Sequence, residues 1–206
     1  MKRLFLAVSV LILSLGAFAQ REVGVLTIQP KAGLNIAWYT NDDSDPRVGL
    51  AAGAEFEYQL TDMFSLSAGL IYSMQGATQT INSSELSNSN QNIKIKMTAQ
   101  TDYINIPILA NIYLTKGLAL KFGIQPAFNI NSSYSASARG TSVSGSLADV
   151  GVNIKSFDFA FPIGLSYEMR NIVTEARYNI GATKILDNSD IKNSVFQFTL
   201  GYKFRL

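Results

Sequence analysis

The sequence predicts an all-β protein, an eight-stranded antiparallel up-and-down transmembrane β-barrel. Three observations lead there. Segment after segment alternates apolar with small or polar residues, the period of a strand whose successive side chains face opposite ways. The connections between segments alternate short and long, as in a meander with tight periplasmic turns and longer outer loops. The apolar parity carries no charge in any strand core. Lipid demands such a face, because Arg or Lys at the bilayer midplane costs roughly 2–4 kcal/mol.

The chain opens with Lys2 and Arg3, an apolar run from Leu4 to Leu15, and Ala17-Phe18-Ala19. These are the three parts of a cleavable secretory signal peptide. Residues 1–19 are expected to be removed, leaving 20–206 as one barrel domain. The apolar run is too short for a transmembrane anchor, and no cysteine is present to carry a lipid or form a disulfide. The chain has 17 Lys and Arg against 15 Asp and Glu. The leader contributes Lys2 and Arg3 and no acid, so the mature chain is neutral and no nucleic-acid partner is expected.

The first strand (26–39) sets Leu26, Ile28, Leu34, Ile36 and Trp38 against Gln29, Lys31, Gly33 and Asn35. A loop over 40–46 leads to the second (47–60), with Val48, Leu50, Phe56 and Tyr58 opposite Gly53, Glu55 and Glu57. Thr61-Asp62 turns into the third (63–76), where Phe64, Leu66 and Leu70 oppose Ser65, Ser67 and Gly69. Residues 77–100 read as a long Ser/Asn/Gln-rich segment into which the strands extend. The fourth strand (101–114) and fifth (118–131) meet at Thr115-Lys116-Gly117, and Lys121 lies on the polar parity of the fifth. A second long segment, 132–155, is expected to be a loop. The sixth (156–169) and seventh (172–181) meet at Arg170-Asn171, with Asp158, Glu168, Glu175 and Arg177 on the polar parity. The eighth (193–206) alternates Phe196, Phe198, Leu200, Tyr202 and Phe204 with Gln197, Thr199, Lys203 and Arg205. Pro107 and Pro162 fall inside strands and predict bulges or local edges, because proline lacks a ladder donor.

Alternation alone also fits a soluble lipocalin-like barrel with an apolar interior. The charge-free apolar parity favours lipid outside. Glycines on the other parity, among them Gly33, Gly53, Gly69, Gly123 and Gly201, suit a cramped eight-stranded lumen. That parity also holds Lys31, Lys121, Arg177, Lys203 and Arg205 with Glu55, Glu57, Asp158, Glu168 and Glu175. Equal numbers of each sign predict a luminal charge network, since buried charges must pair. Trp38, Tyr72 and Phe157 near outer strand ends, and Tyr58, Tyr167 and Tyr202 near inner ends, fit interfacial girdles.

Lys31-Ala-Gly-Leu-Asn35, Tyr103-Ile-Asn-Ile-Pro-Ile108, Ala176-Arg-Tyr-Asn-Ile-Gly181 and Leu200-Gly-Tyr-Lys-Phe204 give the chain its resemblance to the outer-membrane β-barrel family of PorT-like proteins. The resemblance covers the mature sequence and implies an eight-stranded outer-membrane barrel, similar in fold to OmpA-like and OmpX-like barrels. The terminal strand, ending on Leu206, also resembles the signal that barrel-assembly machinery recognises during insertion.

Barrel enzymes of this size generally rely on histidine as acid or base, and this chain has none, so no enzyme and no cofactor are expected. Asp42, Asp43 and Asp45 in the first loop, with Asp187 and Asp190 in the last, are candidate calcium ligands, although Asp is also a good turn former. The functional expectation is a structural or surface-interaction barrel. Its lumen is plugged by paired charges, and its outer loops are exposed to a protein partner. The alternative is a small channel or a component of a secretion or transport complex.

Overall fold

In the computed structural model the described residues are 22–40, 44–82, 94–138, 141–186 and 190–206. The expected signal peptide lies outside them. Among the described residues eleven strands follow in order: β1 Leu26–Thr40, β2 Asp45–Gln59, β3 Phe64–Asn82, β4 Lys94–Asn105, β5 Ile108–Tyr113, β6 Leu118–Ala138, β7 Thr141–Ser146, β8 Phe157–Met169, β9 Ile172–Gly181, β10 Lys192–Tyr202 and β11 Phe204–Arg205. They build eight staves of one ring. β4 and β5 are two halves of a single stave, both lying between β3 and β6. β10 and β11 likewise share one side of β1. The ring closes where β1 pairs antiparallel with β10, from Lys31 opposite Gly201 to Thr40 opposite Lys192.

The register fixes the bore. Paired residues lead once around the ring from Leu26 through Tyr58, Leu66, Ala110, Phe122, Ile163, Tyr178 and Phe196 to Ile36. The circuit returns to β1 at position 36 after leaving at position 26, a stagger of ten residues. Eight strands with that stagger tilt about 43° from the axis and leave a backbone radius of about 8 Å. A bore of that radius is just wide enough for inward side chains to meet across it.

Burial follows the pleat. On β2, Glu55, Glu57 and Gln59 are buried, while Phe56 and Tyr58 between them are exposed. The same pattern runs round the ring, leaving an outward band of exposed Leu, Ile, Val and aromatic side chains. Trp38 stacks on Tyr178 at 5.9 Å between ring centroids, and Tyr202 leans on Phe204 at 4.6 Å. Among the described residues no helix is long and apolar enough to cross a membrane, and the lipid-facing surface is made by strands.

Four local features differ from the sequence expectation or refine it. Residues 132–155 are not simply a loop, because β6 runs on to Ala138 and β7 folds back against it. Ser, Gly and Ala have weak strand propensity, but the adjacent ladder supplies their backbone partners. The eighth stave is interrupted at Lys203. Pro107 falls between β4 and β5, whereas Pro162 stays within β8. Pairing of β8 with β6 skips from Phe122–Ile163 to Gln125–Ala160 without a change of register, so Pro162 marks a gap in the ladder rather than a bulge. Gly76 adopts φ 125°, and a Cβ there would stand 2.1 Å from the Ala99 carbonyl oxygen, which makes glycine the residue this close crossing accepts.

Candidate functional site

The inward face is the candidate site, built from strands on all sides of the ring. Its periplasmic half is ionic. Glu55 on β2 receives Lys31 Nζ at 2.5 Å, Arg177 Nη2 at 2.7 Å and Lys121 Nζ at 3.3 Å. Glu175 on β9 receives Lys121 at 2.8 Å, Lys31 at 3.3 Å and Arg177. All five residues are at most 5% exposed. Closer to the periplasmic rim, Lys203 Nζ lies 2.9 Å from both Glu57 and Glu168. Tyr113 donates its hydroxyl to Glu57, and Ser65 Oγ donates to Glu57 Oε1 at 2.7 Å. The first cluster holds three cations and two anions, the second one cation and two anions, so the eight groups balance together.

Amides occupy the next level outward. Asn35 Nδ2 donates to Ser73 Oγ at 2.9 Å, while Asn35 Oδ1 accepts from Gln197 Nε2 at 3.1 Å. A void of about 10 Å³ at this level, walled by Gln75, Asn105, Gln125 and Asn179 among others, has room for about one water molecule. Beyond it Asp158 accepts from Asn193 Nδ2 at 2.7 Å and from Thr183 Oγ1. The outer mouth is apolar, with Tyr39, Ala77 and Ile185 packed together and Ala99, Leu186 and Ile191 around them.

Eight of the ten residues expected in the network therefore stand in the two ionic clusters. Asp158 is inward and buried but sits among neutral partners on the outer side of the amides. Arg205 keeps the inward parity, opposite Thr27, and lines the periplasmic mouth with Glu57 and Lys203, but it stands outside the buried clusters. It pairs with Glu22 at 2.6 Å at the rim with a side chain 60% exposed. β11 pairs with β1 only at Thr27 and Ile28, at the end of the bore, where a long side chain reaches solvent. The Arg205 guanidinium holds the Glu22 carboxyl below its ordinary value. Tyr113, Ser65, Asn35 and Gln197 had no assigned role from the sequence, and their position on the inward parity was the only signal for them.

Of the candidate calcium ligands, Asp42, Asp43 and Asp187 lie outside the described residues. Asp190 pairs instead with Lys184 at 2.5 Å, and Asp45 accepts from Thr80 Oγ1 at 3.4 Å. Among the described residues no group of three or more acids forms a metal site.

Residues 18–187 match a family model described as an outer membrane protein beta-barrel domain. None of the curated proteins matches the chain. Among solved structures, the attachment invasion locus protein Ail of Yersinia pestis aligns with a TM-score of 0.51 at 15% identity, covering 89% of this chain and 100% of that one. OprG of Pseudomonas aeruginosa aligns at 0.42 and 12% identity over 91% and 99% of the two chains. Neisserial surface protein A aligns at 0.40 and 11% identity over 87% and 97%. At 15% identity the likeness to Ail is one of fold.

Proposed function

This chain belongs to the outer membrane protein β-barrel domain family, and on that premise we propose that it is a closed barrel, stoppered by its own charges, that acts through its outer face. The protein resides in the outer membrane, with lipid around its apolar band. The observation that carries the reading is the cluster of Lys31, Lys121 and Arg177 with Glu55 and Glu175, buried across a bore of about 8 Å radius. A water-filled path would have to separate these pairs. The amides and the apolar contact of Tyr39, Ala77 and Ile185 beyond the cluster support the same reading.

Finer assignments go with it. The motifs from Lys31 to Asn35 and from Tyr103 to Ile108 support a kinship with the PorT-like proteins. Residues 1–19 serve as the signal peptide, the C-terminal stretch is read by barrel-assembly machinery, and the outer segments meet a protein partner. No catalytic role is assigned, since the interior offers carboxylates already engaged by cations and no histidine. Planar-bilayer recording of the purified protein tests the proposal. Silence at physiological salt is the expected result, and stable unitary conductance would replace it with a channel.

A further inference from the structure

Most strands of the ring are paired on both sides, but β7 is bonded on one. Beside β6 the same column is occupied in turn by β8, which pairs with Leu118 to Phe128, and by β7, which pairs with Ser133 to Ala138. β8 has β9 on its other side. β9 ends at Gly181, and among the described residues no strand lies against the far side of β7.

The parity of the free groups can be read off. Leu147 N donates to Ser132 O at 3.2 Å, so Leu147 faces β6. Antiparallel residues alternate between bonding a partner and facing away from it. Thr141, Val143 and Gly145 therefore bond to β6, while Ser142, Ser144 and Ser146 present their N–H and C=O to the open edge. Natural edges are blunted by charge, proline or bulges. The β7 sequence, Thr141-Ser-Val-Ser-Gly-Ser146, has no charge and no proline and is exposed at every residue except Gly145.

We propose that the far edge of β7 is a strand-addition site for an extended, uncharged segment of an extracellular protein. This deepens the outer-face reading above and rests on it. The two sheet faces specify the segment. Ser144 stands in one register row with Ser135, Thr98 and Thr78, and Ser142 shares a hydrogen bond with Ser137 at 2.7 Å. On the opposite face Val143 is 60% exposed. An incoming strand with small hydroxyl side chains on one face and an apolar residue beside Val143 continues both surfaces, with backbone bonds supplying affinity. A second copy in the same bilayer does not fit. Two barrels related by a twofold along the membrane normal, with strands tilted about 43°, would cross these edges at about 86°, far from the roughly 20–25° between sheet neighbours.

The test uses the full chain in lipid nanodiscs and a capped, fluorescent peptide with the sequence of residues 132–138, which already forms a ladder on the other side of β7. Fluorescence anisotropy should rise saturably with protein, equally for wild type and Ser144→Ala. Ser144→Pro removes an N–H that β6 does not use, so the hairpin persists while peptide binding weakens at least about tenfold. No saturable binding to wild type, or undiminished binding to Ser144→Pro, would overturn the edge site. If bilayers stay silent when peptide binding fails, the edge site falls and the closed barrel stands. Conductance would be the mark against the barrel reading itself.

Discussion

Arg177 and Glu55 are 122 positions apart in sequence and 2.7 Å apart in the barrel. They stand on β9 and β2, with two other staves between them on the shorter way round the ring, and meet because the bore is only as wide as two long side chains. Glu55 is also the acceptor for Lys31 and Lys121. Glu55→Gln leaves three buried cations with Glu175 as their one carboxylate, and should lower stability by about 3–5 kcal/mol. Adding Lys31→Met should recover part of that loss, because it removes an uncompensated charge. Urea unfolding from lipid vesicles, followed by the mobility shift between folded and unfolded barrel, measures both.

Gly33 marks a place where β1 and β10 crowd. A Cβ at Gly33 would lie 1.8 Å from the Phe198 carbonyl oxygen and 2.6 Å from Thr199 Cα. Both are backbone atoms, so the ladder itself must part. Gly33→Ala should cost about 1–3 kcal/mol in the same unfolding assay, although alanine suits a strand better than glycine in general.

Leu200 is 58% exposed on the outward face, between Ala32 and Thr174 of the flanking staves. Leu200→Arg should cost roughly 2–4 kcal/mol in a bilayer, against about 0–1 kcal/mol for a charge near the rim. Phe204→Asp, nearer the periplasmic end, should act mainly by lowering the amount of protein inserted in cells. Equal outer-membrane levels for Phe204→Asp and wild type would contradict the outward assignment of the even positions.

Outside the membrane, Lys184 hydrogen-bonds Asp190 and holds its carboxyl below the ordinary value. A depressed carboxylate contributes stability above its unfolded-state value, and that contribution is lost as pH falls through the folded value. Lys184→Met should return Asp190 to ordinary titration, as read by the carboxyl carbon shift in NMR.

Strand parity made most of the barrel legible in advance, because one period-two pattern decides both pairing and facing. It put Lys31, Glu55, Lys121, Glu175 and Arg177 on one face without saying which acid meets which cation. Those pairings depend on the ten-residue stagger, which only the closed ring defines. Arg205 kept its parity, opposite Thr27, but stands so near the rim that it meets Glu22 and solvent rather than the buried acids. Parity was misleading over residues 132–155, where a serine-rich segment without an apolar face reads as loop. Beyond the lipid no apolar face is needed, and β7 forms from backbone pairing alone. Asp158 obeyed parity and still missed the ionic clusters, since its depth along the axis sets it beside Asn193 and Thr183.

A packed, ion-paired lumen is most directly tested by thiol accessibility, in a chain that has no cysteine of its own. Thr199 faces inward and is 7% exposed, while Lys116 sits in an exposed turn. In intact vesicles, a charged methanethiosulfonate reagent should modify Lys116→Cys quickly wherever that turn is accessible. It should leave Thr199→Cys unmodified until urea unfolds the barrel. Rapid modification of Thr199→Cys in the folded protein would mean that water fills the lumen and would contradict the account.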